Sequence, residues 1–209
     1  MKKGAKIFIL QTIFIAASYT VITVLENKFF GGKIDSGITK GIIQLRLADA
    51  LTVLPVFTPA AIPGLFLGCL ATNKAIGCHN LDIIFGSIAT LVAAVLTFAV
   101  RKKRFLAPIP PIVINMIAIP LMFTYVYRFD DRPFWQYVLF IGISGIISCG
   151  VLGIALMLGL DDYKKVLFPP LTEKGRAAAE AVAESKTEDK KEDTTEVITE
   201  TTGDKEENV

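Results

Sequence analysis

Four runs of this chain, residues 7–25, 81–100, 108–127 and 135–160, are each long and apolar enough to cross a bilayer as a helix, which takes about 20 residues. Lipid offers no hydrogen-bond partner to the backbone, so runs of this kind close their own hydrogen bonds as helices. A further stretch, residues 47–73, is apolar but punctuated by Pro55, Pro59 and Pro63. Proline ends a helix and is tolerated in its first turn, so the stretch reads as two short helices joined by a tight turn near Thr58 and Pro59. A re-entrant hairpin is the other reading, and either returns the chain to the side it left. The expectation is an all-α membrane protein with six transmembrane helices.

Charge divides the chain in two. From Glu173 onward there are twelve acidic and six basic residues, a net of −6, so the remainder carries +8 for a total of +2. Residues 187–209 hold too few aliphatic and aromatic side chains to offset the entropy of ordering. We therefore expect a membrane body over residues 1–165 and a cytoplasmic, acidic, largely disordered tail over 166–209, with residues 176–184 able to form a short helix. The start of the chain also resembles a secretory signal peptide, but its apolar run continues to Leu25, beyond the usual length of such a core.

Lysine and arginine near the segment ends set the orientation. With a cytoplasmic N-terminus the inner side holds eleven of them, including Arg101, Lys102, Lys103 and Arg104, and the outer side seven. Both termini are then cytoplasmic, and Tyr125, Tyr127, Trp135 and Tyr137 form an aromatic belt at the outer interface.

In that orientation the polar residues of the apolar segments gather at the outer end. Gln44, Arg46 and Asp49 stand where the first short helix of 47–73 begins, Asn73 closes the second, and His79, Asn80 and Asp82 stand at the start of the run 81–100, with Asn115 inside the run 108–127. Ionisable groups at membrane depth cost about 2.5–3.5 kcal/mol on insertion scales, so a converging set points to a polar cavity. Taken singly, Arg46 and Asp49 can neutralise each other across one turn, and Asp82 can cap its helix. The GxxxG pair Gly64 and Gly68 marks close helix approach, within the chain more often than between chains.

The chemistry of catalysis is missing. There is no GxxxxGK[ST], HExxH or GxSxG, so neither an enzyme nor a direct ATP binder is expected, and no nucleic-acid partner. Cys69, Cys78 and Cys149 fit neither a disulfide framework nor a zinc spacing, and His79 is the single histidine, so no metal and no cofactor are expected.

The stretches IQLRLADALTVLP at 43–55, PGLFLGCLATN at 63–73, LDIIFGSIATL at 81–91 and LAPIPPIVIN at 106–115 resemble the QueT family, substrate-binding S components of energy-coupling-factor (ECF) importers. The resemblance runs over roughly residues 7–160 and is most specific between 43 and 115. It implies an S-component-like bundle in a bacterial cytoplasmic membrane, capturing a queuosine precursor, a 7-deazaguanine base or queuine, outside the cell. It also implies a transmembrane coupling subunit and two cytoplasmic ATPases as partners, with ATP bound there. Ala16, Ala17 and Thr20 on the first helix correspond to contacts with the coupling subunit, and the glycine-rich loop of residues 28–41 to a lid.

A guanine-like edge presents a ring N–H beside an amino group, and one carboxylate accepts both. Asp49 is the first candidate for that acceptor and Asp82 the second. Asn73 or Gln44 can bond the ring carbonyl, Arg46 can do so or hold Asp49 ionised, and Trp135 or Phe85 can stack on the ring. Asn115 completes the set. The chain departs from the family pattern in having Asp49 for a glutamate, and Met122 and Gly145 where acidic residues are frequent. Alternatives are an S component for thiamine or riboflavin, and a membrane scaffold that transports nothing.

Overall fold

The computed structural model describes residues 3–31, 46–128, 133–169 and 171, and all regular structure among them is helical. Helix α1 (Lys3–Glu26) runs on into a π-helical turn, Asn27–Gly31. A 3-10 helix, Leu47–Val56, follows, then α2 (Ala61–Ile76), α3 (Asn80–Ala99) and α4 (Ile109–Leu121) with its π-helical end Met122–Val126. Helix α5 (Phe134–Gly145), a π-helical stretch Ile146–Leu152 and α6 (Gly153–Asp161) form one continuous rod, and α7 (Lys164–Leu167) is a single turn beyond it.

Among the described residues three helices, Gly4–Phe29, Arg104–Val126 and Phe134–Asp161, are long and apolar enough to cross a membrane, while the run expected over 81–100 gives a shorter apolar helix, Ile83–Ala99. Residues 47–76 form the two short helices expected from their prolines, with a turn at 57–60 between them. The first is not an α-helix, however. Ten residues of 3-10 helix are unusual, since such runs seldom exceed four. Pro55 lies inside it and has no N–H to give to an α-helical ladder.

With three residues per turn, side chains at i and i+3 eclipse, so this helix has three straight rows. Ala48, Leu51 and Leu54 enter the apolar cluster that includes Ile15, Tyr19, Ala61, Leu65, Cys69, Ala94 and Phe168. Val53, in the row begun by Ala50, lies against Gly153 of α6, where a Cβ would come within 2.9 Å of its Cγ1. Arg46, Asp49 and Thr52 make the third row. The helix is buried from Ala48 to Pro55, among α1, α2, α3, α6 and the π-helical stretch.

Because the 3-10 helix reverses the chain, α1 and α2 run parallel. The Thr12 hydroxyl donates to the Ala60 carbonyl and that of Thr20 to Gly68, the same spacing twice. The GxxxG pair serves this contact: a Cβ on Gly68 would stand 2.9 Å from Tyr19 Cβ and 3.0 Å from the Ala16 carbonyl oxygen. Gly77, with φ of 82°, supplies the left-handed residue that ends α2.

The far end of the 3-10 helix is closed by the chain that follows α6. Phe168 stacks on Phe57, centroids 5.8 Å apart and planes within 4°. Gln11 ties them together, donating from Nε2 to the Pro169 carbonyl and accepting from the Thr58 hydroxyl. The packed body thus reaches past residue 165. Phe168→Ala is expected to lower stability by about 3 kcal/mol, at the lower end for a buried phenylalanine, read as a lower unfolding midpoint in detergent.

Candidate ligand site

The third row of the 3-10 helix assembles a polar cluster in the bundle. Asp49 is the centre. Its Oδ1 lies 3.7 Å from Arg46 Nε, one helical turn away, and its Oδ2 accepts from Asn115 Nδ2 of α4 at 3.4 Å. Arg46 also donates through NH2 to the hydroxyl of Tyr19 on α1, at 3.2 Å. The Thr52 hydroxyl donates to the Asp49 backbone carbonyl at 2.6 Å and contacts Cys149 Sγ at 3.7 Å, which binds the row to the π-helical stretch. At the entrance, Glu26 at the end of α1 accepts the Leu47 N–H with both carboxylate oxygens, at 2.9 and 3.1 Å. That carboxylate caps the 3-10 helix, where an acidic group opposes the positive helix end.

Asp49 has little exposure, yet neither its contact with Arg46 nor that with Asn115 is short. Charge-assisted hydrogen bonds to a carboxylate lie near 2.7–2.9 Å, and a carboxylate offers about four acceptor positions. Among the described residues Asp49 is therefore positioned and only partly compensated, with acceptor positions not taken up.

Of the residues singled out by sequence, Arg46, Asp49 and Asn115 come together. Asn73 stands one step away: its amide donates to Cys69 Sγ at 3.6 Å, and Cys69 belongs to the same buried cluster as Tyr19. Gln44 and residues 32–41 of the lid loop lie outside the described residues. Asp82 is in the first turn of α3, its side chain likewise outside them, and the capping role goes to His79, whose Nδ1 accepts the Leu81 N–H.

Phe85 and Trp135 are not turned toward Asp49. They are 53% and 61% exposed because helical register points them outward, each two residues from an inward-facing neighbour, Ser87 and Tyr137. Other aromatic side chains, buried or half-buried, touch one another. Tyr137, 3% exposed, meets Phe123 edge-on at 5.6 Å, Phe123 meets Tyr127 at 6.2 Å, and Tyr127 meets His79 at 6.5 Å. On α1, Ala16 and Thr20 face α2, whereas Ala17 is exposed beside Phe14 and Val21.

Sequence reasoning passed over Tyr19 and Glu26. Each sits in the first apolar run or at its end, and only the parallel packing of α1 and the return of the 3-10 helix bring them to Arg46 and Leu47. A tyrosine within an apolar run was the available signal.

Long apolar helices mark a membrane protein, and a carboxylate–guanidinium–amide cluster, its Asp49 buried and its Arg46 and Asn115 half-buried, sits among them. Comparison with known families makes this specific. The profile of the QueT transporter family matches residues 9–162, most of the chain, and the protein belongs to that family. It is a transport protein of a membrane, with a small-molecule substrate, rather than an enzyme. No curated protein and no solved structure matches the chain.

Proposed function

We propose that the chain is the substrate-binding S subunit of an ATP-driven ECF importer and that it captures a queuosine precursor at the extracellular face. The observation that carries this reading is the buried Asp49 carboxylate, held at long range by Arg46 and Asn115 and open to further donors. The N1–H and the 2-amino group of a 7-deazaguanine edge match one carboxylate, while Arg46 or Asn115 can bond the neighbouring ring carbonyl. Gln44 and Asn73 remain candidates for the same carbonyl, and Asp82 for a second acceptor. For stacking on the ring, Tyr137 and Phe123 join Trp135 and Phe85 as candidates.

Six crossings with both termini cytoplasmic, a coupling subunit and two ATPases complete the proposal. The exposed strip of α1 with Phe14, Ala17 and Val21 is the surface offered to the coupling subunit. The family's acidic positions at Met122 and Gly145 are occupied here by apolar packing, Met122 buried and Gly145 against Ile112, so recognition rests mainly on Asp49.

Calorimetric titration of the purified protein with 7-cyano- and 7-aminomethyl-7-deazaguanine, queuine, guanine, thiamine and riboflavin tests the reading. Saturable binding of a deazaguanine or queuine, with guanine at least roughly tenfold weaker, is expected if the site spans more than the shared edge. Binding of thiamine or riboflavin alone would overturn the choice of substrate. A folded protein that binds none of the six would overturn the proposal.

A further inference from the structure

The end of the bundle beyond Phe57, remote from Arg46 along the 3-10 helix, carries a second cluster that shares no residue with the Asp49 group. The turn after α3 consists of Arg101, Lys102, Lys103 and Arg104, and the turn after α6 of Asp161, Asp162, Tyr163, Lys164 and Lys165. One carboxylate oxygen joins the two turns. Asp161 Oδ1 lies 2.7 Å from Arg104 NH1 and 2.8 Å from Lys164 Nζ, so a single negative charge serves two cations. Arg101 is fixed separately, its guanidinium 3.9 Å above the Phe98 ring and hydrogen-bonded to the Phe98 carbonyl. Lys102 and Lys103 are exposed, and neither makes an ion pair among the described residues. Positive charge is thus concentrated on a scaffold with an excess over its counter-ions.

The surroundings of these cations are apolar. Phe105, Tyr163 and Val166 are exposed beside them, Val166 to 80%, and the exposed apolar strip continues along α4 through Ile109 and Val113. A soluble acidic peptide would pair with the lysines and leave this strip bare. A molecule with an anionic head and an apolar body would cover both.

The geometry points to a binding site for an anionic phospholipid, its phosphate held by Arg101, Lys102, Lys103 and Lys164 and its glycerol and upper acyl region lying on Phe105, Tyr163 and Val166. Basic side chains at a membrane boundary extend along apolar surface to reach headgroups, and clustered cations there bind anionic lipid. The site depends on the chain residing in a membrane and not on which substrate it transports.

The test uses the full-length protein in detergent with phosphatidylglycerol, phosphatidylcholine or inorganic phosphate added, and counts retained lipid by native mass spectrometry. Wild type is expected to retain phosphatidylglycerol over phosphatidylcholine. The exposed double variant K102Q/K103Q should retain at least roughly tenfold less of it, as loss of two near-surface cations implies. The thermal unfolding midpoint of the same variant, unchanged from wild type, reports that the fold is intact. Equal retention of the two lipids, unchanged retention by the variant, or competition by millimolar inorganic phosphate would each overturn the assignment.

Discussion

Asp49→Asn is expected to weaken ligand binding at least a hundredfold while the protein still elutes as a folded species. The substitution keeps size and shape, and Asn115 retains a carbonyl oxygen to donate to. What changes is the second position of the side chain, where an amide N–H₂ now meets the N–H edge of the ligand. Two hydrogen bonds to a charged acceptor are lost, each worth about 1.5–3 kcal/mol, and a donor is set against a donor. A hundredfold is about 2.7 kcal/mol, so the expected loss exceeds it comfortably. Arg46 keeps its bond to Tyr19 but loses its counter-charge, so a lower unfolding midpoint is expected alongside. An unchanged titration curve for Asp49→Asn would remove this carboxylate from the recognition site.

Gly68→Leu is expected to abolish recovery of monodisperse protein. The Cβ alone would stand 3.0 Å from the Ala16 carbonyl oxygen, a backbone atom that cannot turn aside, and 2.9 Å from Tyr19 Cβ. Helices α1 and α2 would have to separate along their parallel contact, breaking the Thr20-to-Gly68 hydrogen bond. Gly68→Ala adds only that Cβ and should cost about 1–3 kcal/mol, the usual range for overpacking. Because Tyr19 is the residue displaced, and its hydroxyl holds Arg46, the alanine variant should also bind ligand more weakly than wild type. Wild-type stability and binding for Gly68→Ala would show that α1 does not hold the site through Tyr19.

How much of this could be read from sequence varied with the kind of interaction. The prolines at 55, 59 and 63 announced two short helices and their turn, because proline acts locally. Arg46 and Asp49 were visible as a pair for the same reason. The pairing of Asp49 with Asn115 was only half visible: polar groups in apolar segments must meet something, but which one depends on packing. The 3-10 geometry was not read, since a spacing of three between Arg46, Asp49 and Thr52 suits one face of an α-helix almost as well. Phe85 and Trp135, chosen for stacking, face outward, each two positions from a buried neighbour. Aromatic residues at helix starts suit lipid and ligand equally, and only the burial of Ser87 and Tyr137 shows which face turns inward.

The 3-10 helix gives its segment an arithmetic unlike that of its neighbours. Its rows repeat every three residues, so removing or adding one residue between Arg46 and Val56 turns everything beyond it by about 120°. Thr52 would leave Cys149, Val53 would leave the hollow at Gly153, and Leu54 would leave the apolar cluster, all in one step. Only changes of three keep the rows in phase, and those alter the length by about 6 Å. Side chains along this strip can therefore be exchanged far more readily than their number can be changed.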